Sequence, residues 1–128
     1  MTFDCKEEAE NIAKLHPNAE VILRITVDDR NAPDPMSEKF GAPPEFWSGI
    51  LDTCNKIKLK VRGVSFHVGS GGCSFNSYYE SILNAQIIFN MAKLKGMPEM
   101  DILDIGGGFS MSSCHPENNF NVVAQKIN

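Results

Sequence analysis

The sequence predicts an α/β protein built on a parallel sheet, and three observations carry that prediction. Apolar runs alternate with amphipathic stretches along the chain. The strand ends fall near residues 25, 66 and 105, spaced by about 40 residues, enough for a helical crossover between parallel strands. Two of the runs pass directly into glycine-rich loops, Gly69-Ser70-Gly71-Gly72 and Gly106-Gly107-Gly108. Backbone that flexible can wrap an anion and aim bare N–H groups at it, and ligands of parallel α/β folds gather where the strands end. An open doubly wound sheet and an eight-stranded barrel both satisfy this pattern.

Each element has its own local reason. Met1-Thr2-Phe3 reads as the stump of a strand. Asp4 and Glu7 have the spacing of a helix-capping pair, and Ala9, Ile12 and Ala13 then share one face, predicting a helix over residues 5–15 that breaks at His16-Pro17. Residues 21–25 are short and mostly β-branched, which suits a strand covered on both faces. The stretch 26–42, with Pro33, Pro35 and Gly41, is too long for a plain turn. Pro43-Pro44 opens a second helix in which Phe46, Ile50, Cys54 and Ile57 keep helical spacing. A strand over 61–66 leads into the first glycine loop. Ser77 with Glu80 makes a second capping box, ahead of a helix that buries Ile82, Ala85, Phe89 and Ala92 and stops at Gly96 and Pro98. Residues 102–105 form the next strand, and 118–126 begin a further helix.

Composition narrows the class of function. A chain of 128 residues, 42% hydrophobic, suits one globular domain, and its net charge of −4 with scattered Lys and Arg argues against nucleic acid and for a small ligand. No apolar stretch approaches the ~20 residues of a bilayer span, and the first residues have neither the basic start nor the apolar core of a secretory signal. No membrane association and a cytoplasmic setting are therefore expected. Cys5, Cys54, Cys73 and Cys114 show no C-x-x-C spacing, so reduced thiols and no metal are the expectation.

The chemistry concentrates at the strand ends. Arg24 interrupts an apolar strand one residue before its end, where a guanidinium is costly unless it faces an anion or a polar cleft; an ion pair at the sheet's mouth is the alternative. His67 precedes Gly69-Ser70-Gly71, which sets an aromatic ring beside an anion cradle and suits a flat phosphorylated cofactor; a hydrogen-bonded core histidine is the plainer option. Ser70 is either a phosphate donor or a turn residue. An acidic residue and glycines after a strand, as in Asp104-Ile105-Gly106-Gly107-Gly108, also occur in adenosylmethionine-dependent methyltransferases, but Met111 stands where the last glycine of a G-x-G-x-x-G turn belongs.

Val64-Ser65-Phe66-His67-Val68-Gly69-Ser70-Gly71 and Leu103-Asp104-Ile105-Gly106-Gly107-Gly108-Phe109 carry a family resemblance, supported by Leu23-Arg24-Ile25, Lys39-Phe40-Gly41-Ala42, Met1-Thr2-Phe3-Asp4, His16-Pro17 and Asp28-Asp29. Together these motifs resemble the pyridoxal-phosphate-dependent ornithine, diaminopimelate and arginine decarboxylases, most closely the eukaryotic-type ornithine branch. The likeness runs from the first residue to about Phe109. The loop Gly72-Cys73-Ser74-Phe75-Asn76 looks one residue longer than the family's and lacks its Asp-Pro pair, and Ser110-Met111-Ser112-Ser113-Cys114-His115 follows the family less closely.

The resemblance implies an alanine-racemase-like (β/α)8 TIM-type barrel, of which residues 1–128 supply about three and a half βα units, without the family's C-terminal β domain. It implies pyridoxal 5′-phosphate as cofactor, ornithine as the amino-acid substrate, putrescine and carbon dioxide as products in polyamine biosynthesis, and a homodimer with shared active sites. By the same likeness His67 stacks on the cofactor ring. Ser70 with Gly106, Gly107 and Gly108 holds the phosphate, Arg24 lies in the polar network beside the ring, and Lys39 lies near the subunit contact, a solvated loop lysine being its alternative. The family's Schiff-base lysine lies upstream of this region, and its acidic partner for the pyridine nitrogen lies downstream. Residues 1–128 alone are therefore expected to be inactive, with unpaired sheet edges. A non-catalytic regulator similar to antizyme inhibitors, or a partner of an antizyme-like regulator, is the other reading.

Overall fold

The computed structural model describes residues 1–28, 37, 39–69, 75–107 and 124. In chain order it contains β1 (Thr2–Phe3), α1 (Lys6–Leu15), β2 (Glu20–Arg24), α2 (Pro44–Ile57), β3 (Lys60–Ser65), α3 (Phe75–Leu94) and β4 (Ile102–Asp104). The strands form one sheet, parallel throughout, in the order β1-β2-β3-β4. Every crossover therefore steps in the same direction, and right-handed connections then place every helix on the same face. A doubly wound sheet instead reverses its order at a switch point and covers both faces. α1 packs on α2, and α2 packs on α3. The sheet is an arc of a parallel barrel with its helices outside.

Register explains which residues are buried. Val21 pairs with Val61, and Leu23 with Val64; all four are buried on the helix side together with Ile25 and Phe66. The intervening row, Ile22, Gly63 and Ile102, faces the inner side of the arc. One side of β2 is thus fully covered, whereas Ile22 and Arg24 on the other are half-buried, so burial on both faces is met on the helix side only. Gly63 is demanded by close approach: a β-carbon there would lie 1.8 Å from the Ile102 carbonyl oxygen.

At the opposite end of the strands a cluster of exposed ion pairs ties β2, β3 and the start of β4 together. Arg62 sits where the β2–β3 pairing shifts by a residue, and its guanidinium grips Asp101 through Nε (2.8 Å) and Nη2 (2.5 Å) and Glu20 through Nη1 (2.7 Å). Lys60 also pairs with Glu20. The two cations hold the Glu20 carboxyl below its usual range, and Arg62 does the same for Asp101.

Several local expectations are corrected by packing. The Asp4–Glu7 capping pair does not cap α1: Cys5 is the N-cap without a side-chain bond, and Asp4 Oδ2 instead accepts the Gly41 N–H at 2.9 Å. That bond, with the Ile25–Ala42 bridge and the Trp47 Nε1 bond to the Ala42 carbonyl (2.8 Å), brings the long β2–α2 connection back to the sheet. In α2 the buried residues are Trp47, Ile50, Leu51 and Cys54, while Phe46 is exposed. α3 is already helical at residue 75, so Ser77 lies inside its first turn rather than at a cap, and its carbonyl accepts from Ser81. Its buried face is Tyr78, Ser81, Ala85, Ile88 and Ala92, with Ile82 and Phe89 half-buried beside it. Gly96, at φ 67, follows its end as expected. The helix expected over 118–126 lies outside the described residues, apart from Ala124. No described helix is long and apolar enough to cross a membrane.

Candidate functional site

The site is assembled where β2, β3 and β4 end. Arg24, Ser65 and Asp104 are partners in register and form the last inward-facing row of the described sheet. One residue further, Phe66 donates its N–H to the Asp104 carbonyl (3.0 Å), which keeps the two chains parallel as they leave the sheet. The next inward positions are His67 after β3 and Gly106 after β4.

His67 and the second glycine loop meet. A β-carbon on Gly106 would lie 2.4 Å from the Phe66 carbonyl oxygen and 3.1 Å from His67 Cδ2, and one on Gly107 would lie 3.4 Å from His67 Nε2. The Cδ2–Nε2 edge of the imidazole is therefore laid against bare glycine backbone. The other edge is held by the first loop: Nδ1 accepts the Gly69 N–H at 3.0 Å. Acceptance at Nδ1 leaves Nε2 as the nitrogen that carries the proton of a neutral ring. Gly69 (φ 83) and Gly106 (φ 67) adopt left-handed backbone that side chains disfavour, so both loops require glycine at their first position. His67 is half-buried, placed between two loops rather than within the core.

The two described glycines of the triplet differ. Gly106 commits its N–H to Asp104 Oδ1 at 2.9 Å, whereas among the described residues no acceptor takes the N–H of Gly107. Gly106 thus shapes the loop, and Gly107 retains a donor. The carbonyl of Gly107 is bonded by Tyr78 Oη at 2.9 Å, from a side chain only 2% exposed.

Arg24 has no carboxylate partner among the described residues; its guanidinium carbon lies 4.9 Å from the centre of the Phe40 ring, a cation–π contact. Lys39 lines a different cleft, of about 550 Å³, with Asp4, Cys5, Glu7 and Phe46 at the starts of α1 and α2. Ser70 and Gly108, together with Gly71 and Gly72, lie outside the described residues. Sequence reasoning missed Tyr78 and the Asp104 side chain. A tyrosine buried in the first turn of a helix needs a partner for its hydroxyl, and that was the available signal.

Strand order and these strand ends define the class: part of a parallel α/β barrel with His67, Gly106 and Gly107 brought together where β3 and β4 end. Within that class the chain belongs to the pyridoxal-dependent decarboxylases, whose pyridoxal binding domain matches residues 1–128. It is 43% identical over 128 residues to the ornithine decarboxylase of Caenorhabditis elegans, covering 99% of this chain and 30% of that protein. It is 42% identical over 109 residues to antizyme inhibitor 2 of Xenopus laevis, covering 85% of this chain. The crystal structure of the arginine decarboxylase of Paramecium bursaria Chlorella virus superposes with a TM-score of 0.86 at 35% identity, covering 98% of this chain and 34% of that one. Several relatives align over 109 to 113 residues, in keeping with a likeness that weakens after about Phe109, while the family model and the Caenorhabditis elegans protein carry it further. The methyltransferase alternative falls with the family assignment. The chain spans about a quarter to a third of the length of the relatives it matches.

The cofactor of this family is pyridoxal 5′-phosphate, and the residues present fit it. The donor kept by Gly107 and the ring of His67 beside it provide an anion partner and a flat aromatic surface at one place.

Proposed function

We propose that the protein containing this domain is a pyridoxal-phosphate-dependent decarboxylase that converts ornithine to putrescine and carbon dioxide. The observation that carries the reading is the contact of His67 with Gly106 and Gly107, which supports a shared site at the ends of β3 and β4. Bound pyridoxal phosphate supplies an electron sink for the pair left behind when carbon dioxide departs. In this reading His67 presents its ring to the cofactor, Ser70 and the triplet Gly106, Gly107 and Gly108 hold the phosphate, and Arg24 lies in the polar network beside the cofactor ring. Lys39 lies near a subunit contact, the protein acts as a homodimer in the cytoplasm, and residues 1–128 are one part of a (β/α)8 barrel that needs the rest of its domain for turnover.

The similarity to the Xenopus antizyme inhibitor 2 favours a second reading, a non-catalytic relative that engages an antizyme-like regulator. Cofactor titration and carbon dioxide release by the full-length protein separate the two. The enzyme reading expects pyridoxal phosphate to bind, Ser70→Asp to weaken that binding sharply by setting charge against charge, and ornithine to outpace lysine, arginine and diaminopimelate. Faster turnover of any other amino acid overturns the substrate, and absence of cofactor binding leaves the regulator.

A further inference from the structure

We infer that Tyr78 is a positioning residue for the cofactor phosphate: its hydroxyl holds the Gly107 carbonyl so that the glycine loop turns donors, not acceptors, toward the anion. The inference rests on the reading that this cradle takes the phosphate of pyridoxal phosphate.

A glycine loop has a weakness that matches its use. Without side chains its peptide planes rotate at little cost, and each trans peptide carries its N–H and C=O on opposite sides. A plane turned one way offers an anion a donor; turned the other way it offers a carbonyl oxygen, which repels it. Something must choose. At the entry to the loop Asp104 Oδ1 holds the Gly106 N–H at 2.9 Å. At its centre Tyr78 Oη donates to the Gly107 carbonyl at 2.9 Å, and His67 Nε2 closes on Gly107 from the strand side. With its carbonyl engaged by α3, Gly107 turns that acceptor toward Tyr78 and not toward the anion, while its own N–H, carried on the preceding peptide plane, is unclaimed among the described residues.

The position of Tyr78 also couples the two loops. The first loop leads into α3, and Tyr78 stands in the first turn of that helix, 2% exposed, reaching across to the second loop. A hydroxyl buried to that degree strongly favours a partner, and here the Gly107 carbonyl of the loop accepts from it. The ring itself packs in the core, so removal of the oxygen alone separates the orienting role from the packing role.

The full-length protein, as wild type and Tyr78→Phe, is titrated with pyridoxal 5′-phosphate and with pyridoxal, which lacks the phosphate. Phosphorus NMR of the bound cofactor and thermal melting accompany each titration. Loss of one hydrogen bond that orients a charged group predicts an affinity for pyridoxal phosphate about five- to tenfold weaker, an unchanged affinity for pyridoxal and a shifted phosphorus resonance. Ser81→Ala, on the same buried face without a bond to the loop, leaves all three unchanged. Replacement of Tyr78 by 3-fluorotyrosine keeps the ring and strengthens the donor, and is expected to tighten pyridoxal phosphate but not pyridoxal. Equal affinity of wild type and Tyr78→Phe for pyridoxal phosphate, or an equal loss for both ligands, overturns the inference while leaving the proposed function standing. Wild-type protein that binds neither ligand overturns both.

Discussion

Gly106 faces the imidazole of His67 so closely that a β-carbon on it would stand 3.1 Å from Cδ2 and 2.4 Å from the carbonyl oxygen of Phe66. The second of these contacts is with backbone, which cannot rotate aside, and the φ of 67° disfavours any side chain. Gly106→Ala is therefore expected to cost about 1–3 kcal/mol and to push His67 away from the loop. Gly107→Ala, whose β-carbon would meet, among the described residues, His67 Nε2 at 3.4 Å, is expected to cost less on steric grounds. Urea denaturation of both variants checks the order, and equal stability of Gly106→Ala and wild type would contradict it.

Gly63 provides a test of register that does not involve the site. An added β-carbon would lie 1.8 Å from the Ile102 carbonyl oxygen, so Gly63→Ala must force β3 and β4 apart. The expected loss is about 3 kcal/mol or more, enough to reduce the yield of folded protein. Denaturant midpoint and soluble yield are the measurements; a midpoint unchanged from wild type refutes the close approach.

The Arg62 network makes stability depend on acid. Glu20 and Asp101 have carboxyl groups held below their unfolded values by Lys60 and Arg62, so their contribution is present above the unfolded carboxylate pKa of about 4 and is lost as pH falls through the depressed folded values. Arg62→Met should lower the melting temperature at neutral pH, and the gap to wild type should close as pH falls below about 4. A gap independent of pH would mean that Arg62 acts by packing. High salt should narrow the gap as well, because these groups are solvent-exposed.

The thiols differ in reactivity. Burial drives the Cys54 thiol up to about 12, whereas Cys5 at the start of α1 is half-exposed. At pH 8 iodoacetamide is expected to label Cys5 in the native protein and to reach Cys54 only on unfolding. Peptide mapping with and without urea decides the matter, and rapid native labelling of Cys54 would show that its pocket opens.

Much of the fold was legible because burial has a period. The apolar spacing in α1, the Pro-Pro start of α2 and the stop at Gly96 are local, and the structure keeps them. Phe46 shows the limit: it shares helical spacing with Ile50, yet it is exposed, and Trp47 takes the buried place because α2 is oriented by its neighbours. Asp4 shows a second limit, since the carboxylate suited to cap its own helix is taken by the N–H of Gly41, 37 residues away.

The sequence by itself determined the alternation of helices and strands, the places where glycine loops follow strands, and the family motifs, since each depends on side-chain type and spacing along one segment. Element spacing alone left an open sheet possible beside the barrel that the family motifs implied, and the unbroken order β1-β2-β3-β4 bears out the barrel. Only the tertiary structure set Gly106 against His67 and tied Tyr78 to Gly107. The physical reason is that periodicity states which face of a segment avoids water but not which segment covers it. Contacts between distant segments are fixed by strand register and helix packing, which become definite only when the elements are in place.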